Sequence, residues 1–173
     1  MFENVEIPLD ELPGAATLDW QPLDRAYRSR LLVDRVITIA LVVAGAVILS
    51  VLPKVQTAPI LILAPVLAVI AVPILAWPFA AVPRMGFVVR DRDIVYRKGV
   101  LWRSVTAVPF NRIQHVETSN SPLDRRFGLS SLKIFTAGGS GGDLKIDGLA
   151  AERAEQLRAL VLQKAGASIE SDD

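Results

Sequence analysis

The chain has no cysteine and one histidine, His115, among 173 residues. Without cysteine there is no disulfide, no thiol nucleophile and no thiolate metal site. A lone histidine leaves a histidine-based metal centre without its usual ligands. Charge is absent from two long stretches. Residues 36–52 and 58–82 contain no Asp, Glu, Lys or Arg. A third absence concerns the first 19 residues, which carry five acids and no base. A signal peptide would begin with positive charge and an apolar run, so this segment does not read as one.

The uncharged stretches organise the rest. A hydrocarbon core about 30 Å thick needs roughly 20 apolar residues in a helix. At 1.5 Å per residue the first run reaches about 26 Å and the second about 37 Å, enough to cross with tilt. A buried soluble helix seldom runs so long without a polar face. Residues 36–82 are therefore predicted to form two membrane spans joined by a tight turn at Pro53-Lys54-Val55-Gln56-Thr57. The competing reading is a very hydrophobic soluble helical pair. Small residues Ala40, Ala44 and Gly45 lie near one face of the first span and predict a helix-packing surface. Pro65 and Pro73 are expected to bend the second span, whereas Pro59 fits its first turn. Neither span holds an ionisable residue, which argues against a transporter.

The flanks predict orientation. Arg25, Arg28, Arg30 and Arg35 precede the first span, and Arg84, Arg90 and Arg92 follow the second. The turn between them carries only Lys54. The positive-inside tendency then places both termini in the cytoplasm of a multi-pass protein of the cell membrane. Residues 1–22 read as an acidic mobile tail, or as a strand added to a partner. Residues 23–35 read as an interfacial approach helix capped by Asp24, with its aromatic and cationic side chains as generic anchors. A specific headgroup site is the alternative there.

Residues 83–166 hold 14 Lys and Arg against 8 Asp and Glu. A basic domain beside a membrane suggests contact with anionic lipid, or simple retention on the cytoplasmic side. Its pattern predicts about six strands. Residues 86–90 and 94–98 flank the turn Asp91-Arg92-Asp93. Further strands are expected at 101–108, 113–119, 132–137 and 144–147. The run Gly138-Gly139-Ser140-Gly141-Gly142 lacks the Lys-Ser/Thr of a phosphate loop and reads as a hairpin turn. A helix is expected over 150–165, with Ala154, Leu157, Leu160, Val161 and Lys164 on one face. Residues 167–173 form an acidic tail. Two β layers with a helix over one open end would bury each apolar face.

One long stretch carries a resemblance. It comprises Val108-Pro109-Phe110-Asn111-Arg112-Ile113-Gln114-His115-Val116-Glu117-Thr118, then Ser121-Pro122-Leu123-Asp124-Arg125-Arg126-Phe127-Gly128-Leu129, then Leu132-Lys133-Ile134-Phe135-Thr136-Ala137-Gly138. Val95-Tyr96-Arg97-Lys98-Gly99-Val100-Leu101-Trp102-Arg103 and the preceding helical pair agree with it. The chain resembles bacterial pleckstrin-homology (PH) domains of the membrane-anchored YdbS-like type over roughly residues 23–164. The resemblance implies an α+β membrane protein: a two-helix transmembrane hairpin, then a PH-like β-sandwich or barrel closed by a C-terminal amphipathic helix. That fold has seven strands, so one is expected to be split within 100–108, or absent. The family has no established catalytic residues. His115 and Glu117 share a strand face, which without a placed nucleophile is a local polar pair.

The expectation is a non-catalytic scaffold or partner-binding subunit of a membrane complex, with no cofactor, no metal and no nucleic acid. Its partners would be membrane lipid and a second copy, or another membrane protein of the same family. The alternative is an anionic-lipid-binding module at the cytoplasmic leaflet. Arg112, Arg125, Arg126 and Lys133 are the candidate headgroup or partner site, expected to cluster. A solvated surface set is the competing reading.

Overall fold

The computed structural model describes residues 18–51, 58–137 and 144–170. The turn expected at Pro53–Thr57, the glycine run 138–142, and residues 1–17 and 171–173 of the two expected tails lie outside the described residues; the last helix runs on through Gly166 to Glu170, four residues into the expected C-terminal tail.

Among the described residues a helical pair, two sheets and two further helices make up the body. Helix α1 spans Ala26–Val51 and α2 spans Ala58–Ala81. They pack along one another. At 1.5 Å per residue they are about 39 Å and 36 Å long. Helix α2 is continuous through Pro65, Pro73 and Pro78. Val36, Ile37, Leu41, Val42, Val47 and Ile48 of α1 remain exposed, as do Val69, Ile70 and Val72 of α2. Among the described residues one stretch, Ala26–Ile48, is long and apolar enough to cross a membrane. The apolar helical stretch that begins in α2 and runs into the turn after it is shorter, Val69–Arg84.

The first sheet is β1 (Gln21–Pro22), β2 (Gly86–Val89), β3 (Asp93–Lys98) and β4 (Ser104–Pro109), in that order and antiparallel. The second is β5 (Ile113–Ser119), β6 (Leu129–Thr136) and β7 (Leu144–Ala150). The sequence predicts six strands; the described residues hold seven. The additional strand is not within 100–108. It is β1, which precedes α1 and pairs with β2, Gln21 opposite Phe87 and Pro22 opposite Gly86. The ordered sheet thus begins inside the segment expected to be a tail. It also means that α1 and α2 are an insertion between two paired strands.

Alternation puts one face of each strand inside. Phe87, Ile94, Tyr96, Val108, Val116, Leu132, Ile134 and Ile146 form the core. Helix α4 (Ala151–Glu170) covers it through Ala154, Leu157, Val161 and Ala165, spaced three or four apart on one face. Leu160, expected on that face, is 39% exposed. Helix α3 (Pro122–Arg126) connects β5 to β6. Its start is a capping box: Ser121 Oγ accepts from the Asp124 amide at 3.1 Å, and the Asp124 carboxylate accepts from the Ser121 amide at 2.9 Å.

Candidate functional site

Two places collect charged side chains, and both lie where a helix meets the sheets. The first is at α1. Residues expected to sit at a lipid boundary are instead packed on the domain. Leu23 is buried in the core. The Asp24 amide donates to the Gly148 carbonyl at 2.9 Å, and the Asp24 carboxylate caps the helix at Ala26. The Tyr27 ring lies against Gly148, where an added Cβ would come within 2.2 Å of it. Gly148 also has φ +73°, a conformation that side chains with a Cβ resist. One turn later, Arg30 Nε donates to Asp124 at 2.7 Å. That carboxylate therefore caps α3 and ties it to α1 at once.

Between these elements runs a polar groove of about 370 Å³. Its charges are paired within it. Lys133 Nζ lies 2.9 Å from Glu117, directly across the β5–β6 ladder. Asp147 takes Lys145 at 2.8 Å and the Ser131 hydroxyl at 2.6 Å. Burial pushes the Asp124 carboxyl up, but the hydrogen bonds from Ser121 and Arg30 outweigh it and leave the group below its ordinary value. The Lys133 hydrogen bond likewise lowers Glu117. Burial, and then the Asp147 charge, push the Tyr96 hydroxyl up to about 12.

The second place follows α2. A 3₁₀ turn, Val82–Arg84, leads into β2. Beside it the β3–β4 loop, residues 99–103, closes a cleft of about 230 Å³. Arg84, Arg97, Lys98 and Arg103 line this cleft, and no carboxylate does. None of the four makes an ion pair among the described residues. Arg97 lies over the Trp20 ring at 4.4 Å, and its Nε is shielded from solvent without a hydrogen-bond partner. The loop turns on Gly99, whose φ is +106° and whose place no Cβ could take, since one would meet the Trp102 carbonyl oxygen at 1.8 Å. Leu101 and Trp102 stand at the tip, 71% and 86% exposed.

Residues 31–165 match the family model of the bacterial PH domain. The chain belongs to the bacterial PH domain family. No curated protein and no solved structure matches it significantly. In this PH domain the sequence-predicted cluster is dispersed. Arg125 and Arg126 are exposed on α3. Arg112 is exposed at the other end of β5, where its carbonyl accepts from the Ala137 amide. Seven strand residues separate them, about 23 Å at roughly 3.3 Å each. Lys133 sits between, occupied by Glu117. The reason is topological: α3 closes the hairpin at one end, so Arg112 and α3 take opposite ends. His115 tilts against Phe135 with ring centroids 5.7 Å apart. On α1, Ala40 and Ala44 are exposed and Gly45 is half-buried.

Sequence reasoning missed Ser121 with Asp124, and Leu101 with Trp102. The first pair had a signal: Ser-x-x-Asp with Pro at the first helical position reads as a capping box. The second was hidden because residues 101–108 were read as one strand, whereas β4 begins at Ser104.

Proposed function

We propose that this PH-domain protein is a non-catalytic, partner-binding subunit of a membrane complex, related to the YdbS-like type. In this reading α1 and α2 both cross the membrane, and both termini are cytoplasmic. The observation that carries it is the insertion of the helical pair between β1 and β2, which pair with each other. Both ends of the insertion must return to one sheet edge, so an even number of crossings satisfies the chain. The exposed Val, Ile and Leu side chains of both helices need an apolar surrounding. The Arg-rich flanks favour the cytoplasm for the sheets.

A mount of this kind is not a flexible tether. Tyr27 against Gly148 and Arg30 on Asp124 fix α1 to the domain at two points. The orientation of the domain is then set by the spans, which suits presentation of a surface to a neighbour. The exposed Ala40 and Ala44 allow another helix to approach α1 closely after α2 has packed. A second copy, or another membrane protein of the family, is the occupant we assign to that face. The test replaces Ala44 and Gly45 with Leu in the full chain. An added Cβ at Gly45 meets nothing within 4 Å, so the substitution leaves the chain's own packing room there. Complex size in mild detergent and crosslinking in membranes should both fall in the variant. A wild-type chain that is monomeric in both would reject the reading.

A further inference from the structure

The cleft and the tip of the β3–β4 loop differ from the rest of the domain surface in two ways at once. The cleft concentrates four cations with no carboxylate. The tip exposes the side chains of a leucine and a tryptophan. A water-facing loop gains nothing from such residues. An interfacial loop does, because tryptophan favours the headgroup level of a bilayer and leucine the acyl boundary.

Position agrees with chemistry. The cleft begins at Pro83 and Arg84, two and three residues after the end of α2. Gly86, the first residue of β2, pairs with Arg97 near the end of β3. The β3–β4 loop therefore emerges at the same end of the sheet as the helical pair. Gly99 holds the loop folded on itself, with the Trp102 backbone against it. The tip is thus presented by a tight turn rather than a long free arm. Behind it, Arg97 offers a shielded Nε with no partner. A guanidinium of this kind suits a phosphate oxygen, which it can bind with charge and directed hydrogen bonds together.

We infer that the β3–β4 loop is a second membrane contact. Leu101 and Trp102 insert into the interface of an anionic leaflet, and Arg84, Arg97, Lys98 and Arg103 hold its lipid phosphates. The contact presupposes that α1 and α2 cross the same membrane. It adds a third point to the two helices and so fixes the tilt of the domain on the bilayer. The α1 groove is not the competing site, since its lysines already face Glu117 and Asp147.

The absence of cysteine makes the test direct. Leu101→Cys gives a single labelling site and leaves Trp102 in place. The full chain, carrying a nitroxide there, is reconstituted in nanodiscs of phosphatidylcholine alone or with phosphatidylglycerol. Collision with oxygen and with a water-soluble nickel chelate reports the label's depth. We expect the label to be oxygen-accessible and shielded from nickel in the anionic discs. It should return to water in the neutral discs, and also in anionic discs when Lys98 and Arg103 are replaced by Gln. A label that stays aqueous in the anionic discs overturns the inference while the membrane-spanning reading stands. A label equally lipid-exposed in both discs, and indifferent to the Gln substitutions, overturns the part assigned to the cations of the cleft. A chain that never enters the discs overturns the spanning reading and this contact together.

Discussion

The groove at α1 and the cleft after α2 are built from the same residue types and have opposite characters. In the groove each cation meets a carboxylate: Arg30 meets Asp124, Lys133 meets Glu117, and Lys145 meets Asp147. In the cleft Arg84, Arg97, Lys98 and Arg103 line a wall without one. Paired, part-buried charges resist loss of a partner, because the survivor is left uncompensated. Charges that face no carboxylate leave none uncompensated when removed, and Arg84, Lys98 and Arg103 are exposed to a ligand, with half-buried Arg97 behind them. Counting basic residues does not separate the two. The groove holds the domain to its helices, and the cleft is free to hold something else.

Four substitutions or conditions sharpen this contrast. The largest effect belongs to Gly148→Ala. It forces a Cβ into the Tyr27 ring at a positive φ; strain and overpacking each cost about 1–3 kcal/mol. The thermal midpoint in detergent should drop sharply, and a midpoint equal to wild type would show that α1 is not seated there. Next is Arg30→Ala, which leaves Asp124 capping α3 but without its cation, a loss of about 1–3 kcal/mol. Hydrogen exchange should rise at α3 and the first turns of α1, and unchanged protection there would refute the two-point mount.

A smaller effect is expected from pH. The folded Asp124 carboxyl lies below its ordinary value. Its contribution is therefore complete above the unfolded value and is lost as pH falls through the folded one. Melting midpoints should decline on acidification through that window, and Asp124→Asn should decline less. Equal slopes for the two proteins would remove Asp124 from the account. The smallest effect on stability is predicted for Lys98→Gln with Arg103→Gln, within about 0.5 kcal/mol. A marked loss of stability would mean that the cleft is structural.

Much of the fold was legible. Asp91-Arg92-Asp93 announced the β2–β3 hairpin, and four small or aliphatic residues at helical spacing announced α4. What escaped has physical reasons. Strand β1 is two residues long, too short for any alternation, and its partner lies across the whole helical insertion. Tyr27 and Arg30 were read as interfacial anchors because the same amphipathic side chains serve lipid boundaries and domain contacts. Arg112 was grouped with Arg125 and Arg126 because sequence spacing does not reveal which end of a hairpin a residue takes. The cleft joins Arg84 to residues of β3, of β4 and of the loop between them, a proximity that the pairing of β3 with both β2 and β4 creates.

The central claim is that the inserted helical pair crosses the membrane twice and returns the chain to one sheet on one side. Single-cysteine variants test it directly, since the chain supplies no cysteine of its own. Lys54→Cys lies in the sequence between α1 and α2, and Arg126→Cys on α3. With a membrane-impermeant thiol reagent applied to intact cells, the account predicts labelling at position 54 and none at 126 until the membrane is permeabilised. Labelling of both positions, or of 126 alone, in intact cells would contradict it.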